Sequence, residues 1–348
     1  MDKILNYAVV GLGVGTAHCR GAAAAEGARL YAVCDLVDER IDAIKKEFPD
    51  VKAYKDYAEM LADPEIDIVS VCVPSGDHAK LAIQALRAGK HVLVEKPMDI
   101  TVDRILEIEK VRVETGLKVG GVFQNRRNAI MEPMKKAIDE GRLGKIFSGL
   151  FRVCWFRDDN YFRANGHWRG TWAHDGGGSL MNQGVHTVDL MQWLLGDVAS
   201  VKADTAILNH GEIETEDFVF ATVKFVSGAV VLLTSTTCAY PGISTDIQVI
   251  GTKGSIFVDG ERPVVWRIEG PNMKEEEAEV LAAFAGNGSA AWADPKLIRG
   301  HSFMVQDMVD AVRFDRDPMV GPQEATKAVR IVNAVYESAR TGKEIFFD

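Results

Sequence analysis

Short apolar runs alternating with helical stretches fill the first third of the chain, and this alternation restricts the fold more than any other feature. Residues 7–10, 30–34, 68–73, 92–94 and 119–123 are rich in valine, isoleucine and other strand formers. Between and after them, residues 17–25, 38–48, 78–88, 102–115 and 129–140 read as helices. Apolar runs without strict polar alternation mark strands buried on both faces, as a parallel sheet requires. Strand–helix alternation implies βαβ units, so an α/β doubly wound domain is expected over 1–124.

The chain has 348 residues, more than the ~100–200 of a typical single domain, and a second, α+β domain is expected over 125–348. A long strand at 147–156 leads into a polar aromatic loop that runs to Trp172. The glycines at 176–178 then introduce a helix over 180–195, ended by Gly196. Five strand-like segments follow, at 198–208, 218–226, 229–237, 244–250 and 255–258, and such a run without helices predicts an antiparallel sheet. Two helices, 302–314 and 322–339, close the chain, while 271–295 reads as a long irregular loop.

Composition excludes some classes of function. The formal net charge of −10 argues against partners such as nucleic acid or anionic membrane, which need clustered lysine and arginine. No run approaches the ~18 apolar residues of a membrane span, and the opening apolar stretch is too short for a signal peptide. A cytoplasmic location is expected. Five scattered cysteines without CxxC spacing suggest neither a metal site nor a disulfide framework.

Gly11-Leu12-Gly13-Val14-Gly15 follows the first strand and precedes the first helix, where a dinucleotide fingerprint belongs. Glycine lets the backbone turn tightly and approach a pyrophosphate, which then rests at the positive end of a helix. The third glycine comes one residue earlier than in GxGxxG. Asp35 ends the second strand, 20 residues after Gly15, where a carboxylate can take the ribose hydroxyls and repel a 2′-phosphate. NAD is therefore favoured over NADP, although Arg40 is near enough in sequence to reach the same region. A simple strand-end cap is the plainer alternative for Asp35.

Glu95-Lys96-Pro97 ends the strand at 92–94, and ligands of open α/β sheets bind beyond such carboxyl ends. A lysine near ~10.4 is a poor base unless burial or a neighbouring cation lowers its pKa. Taken alone, a strand-end lysine is more often a surface residue. The segment from Asp175 to Asp189 is the densest functional signal, with Asn182, His186 and Asp189 spaced four and three apart, as on one helical face. A histidine titrating near ~6.5 suits proton exchange with a carbinol oxygen. Two alternatives stay open: a core histidine held by Asp189, or half of a metal site lacking recognisable further ligands.

These motifs together resemble the glucose–fructose oxidoreductase / inositol dehydrogenase (Gfo/Idh/MocA) family over essentially the whole length. The likeness rests on GLGVGTAH, PSGDH at 74–78, EKP at 95–97, GGGSLMNQGVHTVD at 176–189, GTKGSI at 251–256 and the closing ESARTGK. Membership implies an N-terminal Rossmann domain and a C-terminal domain with a large, open, mainly antiparallel sheet. The outer face of that sheet would join copies into a homodimer or homotetramer, and a C-terminal helix would pack on the Rossmann domain. It implies catalytic roles for Lys96 and His186, cofactor contacts from Pro74, His78, Glu95, Lys96, Gln124, Trp168 and Arg169, and substrate contacts from Lys96, Arg126, Tyr161, Arg169, Asn182 and His186. The family usually carries aspartate where Asn182 stands, so a relay through that position is lost and Lys96 or His186 must exchange the proton. The NQ-H variant with WRGTW at 168–172 resembles branches acting on sugar nucleotides or glycosides at C3. The resemblance thus implies an NAD-dependent dehydrogenase acting on a small carbohydrate. A glycosidase using transient C3 oxidation, or a cofactor-binding protein without catalysis, are the alternatives.

Overall fold

The computed structural model describes residues 3–284 and 300–347. Residues 3–124 with 300–326 form one unit, and residues 125–284 with 327–347 form a second.

The first unit runs β1 (Leu5–Val10), α1 (Gly15–Ala24), β2 (Ala28–Cys34), α2 (Asp38–Glu47), β3 (Lys52–Tyr54), α3 (Tyr57–Ala62), β4 (Ile68–Val71), α4 (His78–Arg87), β5 (His91–Val94), α5 (Val102–Thr115) and β6 (Val119–Gly121). The six strands are parallel, in the order β3-β2-β1-β4-β5-β6. β1 and β4 are buried along their entire lengths, which is why their sequences are apolar without alternation. β3 and α3 were not anticipated, because Lys52-Ala-Tyr carries no strand signal. The runs expected to extend to 73 and 123 leave the ladder at 71 and 121.

In the second unit, α6 (Met131–Asp139) precedes β7 (Ile146–Cys154) and the short α7 (Asp159–Arg163). The expected helix at 180–195 has two parts: a π-helix, Ser179–Gly184, and then α8 (Val185–Leu195). The wider π turn breaks the phase assumed for Asn182 relative to His186 and Asp189. β8 (Val198–Ala206), β9 (Phe218–Phe225), β10 (Val230–Thr236), β11 (Thr245–Gly251), β12 (Gly254–Asp259) and β13 (Arg262–Ile268) follow. With the terminal β14 (Ile345–Phe346) they form an eight-stranded sheet, β13-β12-β11-β7-β10-β9-β8-β14, antiparallel except for the β10–β7 pair. Part of the expected loop is α9 (Met273–Ala283), a helix rich in Glu and Ala that good helix formers support. It is fastened by Glu276, which accepts from Trp266 Nε1 and Arg142; the remainder of that loop, 285–295, lies outside the described residues. The chain returns to the first unit as α10 (Gly300–Arg313), whose Met304, Val305, Met308 and Val309 join the core around Tyr7, Val9 and Val33. It ends in the second unit with α11 (Pro322–Thr341), which straddles the boundary at its first turn, and β14.

Candidate active site

Every site residue expected in the first unit from the glycine turn to Gln124, except His78, falls at or just beyond the carboxyl end of a parallel strand. After β1 the chain turns through Gly11 at φ +85°, where an added Cβ would lie 2.5 Å from the Cys72 carbonyl oxygen. Only glycine fits there. A Cβ on Gly13 would meet nothing within 4 Å, so this side of the turn is open for a ligand to approach the backbone. Gly15 packs α1 onto the sheet, its would-be Cβ 2.9 Å from Val9 Cγ1. It does this work one residue earlier than the usual spacing. No side chain caps the N-terminus of α1 beside Val14, which leaves its first amides suited to a pyrophosphate.

Asp35 ends β2 and is buried. Its Oδ2 accepts the Leu12 amide at 2.6 Å and its Oδ1 the Val37 amide at 2.8 Å. Arg40 Nη1 approaches the same carboxylate at 3.4 Å. The strand-end cap and the cofactor contact are therefore compatible: the carboxylate fixes the glycine turn, and its four lone-pair positions leave room for ribose hydroxyls. Gln124, just beyond β6, has a buried side-chain oxygen with no hydrogen-bond partner among the described residues. A buried orphan acceptor is costly unless a ligand or water supplies a donor. The open glycine turn, uncapped helix end, Asp35 and this amide fit a dinucleotide.

Beyond β4, Pro74 precedes a single 3₁₀ turn, Ser75–Asp77. His78 does not offer its ring to a cofactor. It is buried, with Nδ1 bonded to the Pro97 carbonyl at 2.7 Å and Nε2 to the Val73 carbonyl at 2.8 Å. Its role is to hold the two strand-end loops together. Glu95 is also buried, and its Oε1 meets His18 Nε2 at 2.9 Å and His301 Nε2 at 3.1 Å. Its Oε2 accepts the Lys96 amide at 3.0 Å. Burial, the largest single influence, would raise the Glu95 pKa; the hydrogen bonds and charges of His18 and His301 more than offset it and hold the carboxyl well below its usual range. His18 Nδ1 continues to Ser70 Oγ at 2.9 Å, and Ser70 to the Tyr7 hydroxyl at 2.7 Å. Half-buried Lys96 thus follows an ionised carboxylate anchored to α1 and α10. Sequence reasoning missed His18 and His301, which come from distant segments with no shared motif.

In the second unit, Asn182 lies in the π-helix. Its amide nitrogen donates to Asp175 Oδ1 at 2.7 Å and its oxygen accepts from the Tyr161 hydroxyl at 3.2 Å. Asp175 is buried and also accepts the Gly170 amide at 2.9 Å. An acidic group therefore stands one side chain behind Asn182, seven residues upstream rather than at 182 itself. Gln183 Nε2 donates to the Tyr161 hydroxyl at 2.9 Å, and Arg169 stacks on both Tyr161 and Trp168. The structure thus groups Tyr161, Trp168, Arg169 and Asn182. His186 sits buried in the first turn of α8. Arg126, expected at the substrate, is turned inward instead: it is buried and clamps Asp189 with Nε and Nη2 at 2.8 and 2.5 Å. A buried guanidinium demands such a bidentate partner.

Glu216 and Tyr336, also unanticipated, hold the glycine triplet that precedes the π-helix. Glu216 accepts the Gly178 amide at 2.9 Å, the Leu180 amide at 2.8 Å and the Tyr336 hydroxyl at 3.0 Å. A Cβ on Gly178 would fall 1.8 Å from the Glu216 carbonyl oxygen, and one on Gly177 2.1 Å from the Tyr336 hydroxyl. Among the described residues, two clusters each bring three potential metal-ligating atoms within 4.8 Å: His18, Glu95 and His301, and His210, Asp217 and Cys238. Hydrogen bonds account for the first. In the second, the Asp217 carboxylate accepts the amides of Leu208, Asn209 and His210.

Residues 5–121 match the model of the oxidoreductase family with an NAD-binding Rossmann fold, and residues 131–257 match the Gfo/Idh/MocA C-terminal domain. A myo-inositol 2-dehydrogenase from Thermotoga maritima is 31% identical over 74% of this chain and 76% of its own length. The scyllo-inositol 2-dehydrogenase (NAD(+)) of Bacillus subtilis is 26% identical over 100% of this chain and 98% of its own. In three dimensions, the WlbA dehydrogenase from Bordetella pertussis, crystallised with NADH and UDP-GlcNAcA, superposes with a TM-score of 0.88 at 31% identity, covering 100% of this chain and 99% of the other. With a glycine turn built for a dinucleotide, a six-stranded parallel sheet and an eight-stranded sheet behind it in sequence, the chain belongs to the Gfo/Idh/MocA family of NAD-binding oxidoreductases.

Proposed function

We propose that the protein is an NAD(H)-dependent oxidoreductase that converts a secondary alcohol of a sugar, glycoside, sugar nucleotide or cyclic polyol to a ketone, at C3, and back. One observation carries the reading: Lys96 lies at the carboxyl end of β5 in a dinucleotide-binding sheet, behind a buried, ionised Glu95 that fixes its backbone amide. When bound, the dinucleotide supplies a carbon that takes or returns the hydride. The glycine turn and the N-terminus of α1 would hold its pyrophosphate, Asp35 its ribose and Gln124 a polar group. As the carbinol C–H is lost, the hydroxyl proton passes to Lys96 or His186, and the reverse reaction returns it. Asn182, oriented by Asp175 and Tyr161, accepts from or donates to a substrate hydroxyl without titrating. The relatives named above, acting on inositols or crystallised with a sugar nucleotide, support this substrate class.

Lys96→Ala is expected to lower turnover by about 10²–10⁴-fold while NADH still binds, read by nucleotide fluorescence. Full activity in that variant would refute the assignment. We also propose self-association through the eight-stranded sheet, since Phe220, Val230 and Leu232 on β9 and β10 are exposed and apolar, an arrangement that marks contact surfaces. Light scattering is expected to give the mass of a dimer or tetramer, and the mass of one chain would contradict it.

A further inference from the structure

Among the described residues of the second unit, Arg157 and Arg169 lack an acidic partner, as do Arg330 and Arg340 on α11, but only Arg157 and Arg169 gather on one aromatic ring. Arg126, Arg142, Arg152 and Arg163 each meet an Asp or Glu. Among the described residues, Arg157 and Arg169 form no ion pair, although acidic residues outnumber basic ones in the chain. Their polar contacts are carbonyls: Arg157 Nη1 donates to Phe156 O at 2.9 Å, and Arg169 Nη1 reaches Tyr161 O at 3.5 Å. The two guanidiniums share one aromatic ring, their central carbons 5.2 and 4.5 Å from the Tyr161 centroid. Arg157 also lies over Trp155 at 5.1 Å, and Arg169 over Trp168 at 4.8 Å.

Stacking holds both groups in place but neutralises neither. Two half-buried like charges on one ring repel each other, and an anion bound beside them would relieve that cost. The shared ring is functionally placed, because the Tyr161 hydroxyl bonds Asn182 and Gln183. Arg157 also lines a shallow, open cavity of about 300 Å³ with Trp155, Phe156, Pro241, Gly242, Ile243 and Ser244, so a ligand group has space beside it.

We infer that Arg157 and Arg169 form an anion-binding subsite that selects substrates carrying a carboxylate or phosphate. The subsite rests on the proposed oxidoreductase reading for its purpose, but its occupancy does not depend on turnover. Arg157 was not among the residues singled out from sequence, and Arg169 gains a specific partner chemistry.

The test uses NADH-loaded full-length protein and the fluorescence of its tryptophans, titrated with glucose, glucuronate, UDP-glucose and UDP-glucuronate. At least one anionic probe is expected to bind about 10–100-fold tighter than glucose, the range for charge-assisted hydrogen bonds, and to weaken with added salt. Tight binding of glucuronate but not UDP-glucose assigns the carboxylate; the reverse assigns the phosphate. Arg157→Gln with Arg169→Gln is expected to bring the anionic-to-neutral ratio to about one, whereas the paired lysine variants retain part of it. Equal affinity for glucose and every anion, or a ratio unchanged in the double glutamine variant, overturns the inference. Binding of anions without any change in NADH on a sugar panel would instead count against the oxidoreductase reading alone.

Discussion

Lys96 stands next to a carboxylate that burial alone would protonate, and two histidines keep that carboxylate charged. Glu216 shows the opposite balance. Burial raises its carboxyl to about 7 despite the amides of Leu180 and Gly178 and the Tyr336 hydroxyl, which lower it. Because the folded-state value lies above the ordinary 4.5, the folded protein holds this proton more tightly than the unfolded chain. The associated stability is present in full below the ordinary value, fades as pH rises to about 7 and is absent above it. The change amounts to about 3 kcal/mol at most. Thermal unfolding of the wild type is expected to lose stability relative to Glu216→Gln as pH rises from 4.5 to about 7; parallel curves would contradict this. At this scale motifs drew attention to Asp35, Lys96, Asn182 and His186, the residues to which the proposed function gives roles. The sequence did not disclose the roles of His18, which closes the GLGVGTAH motif, or of His301, Glu216 and Tyr336, because each acts on a residue remote in sequence.

Helix and strand types were legible where apolar runs or helical periodicity were clear, as in the parallel strands of the first unit and the long α5. Short or unusual elements were not: β3 is three residues long, and the π-helix at Ser179–Gly184 shares its composition with an α-helix. That π segment depends on glycine at 178, where any side chain would collide with the Glu216 backbone. Gly178→Ala is expected to cost more than about 3 kcal/mol, as forced overpacking does, and to abolish turnover. Dinucleotide titration should be unaffected, since the glycine turn belongs to the other unit. A variant with wild-type melting and activity would show that the triplet tolerates a Cβ. The Arg126–Asp189 pair illustrates another limit: helical spacing put Asp189 on a presumed site face, yet burial gave it a structural partner.

At the scale of the molecule, the family motifs identified both sheets and their order, and none of the helices described is long and apolar enough to cross a membrane. What the sequence withheld was the chemistry of the substrate, because it depends on side chains such as Arg157 that meet only after folding. In the proposed function Lys96 serves a net hydride exchange with a carbohydrate alcohol. The most direct measurement is the NADH absorbance band followed over a panel of inositols, sugars, uronates and UDP-sugars, with wild type and Lys96→Ala in parallel. Stoichiometric accumulation of NADH with ketone on at least one substrate, lost in the variant, is the predicted result. Product release without net change in NADH, or equal NADH formation by the Lys96→Ala protein, would contradict it.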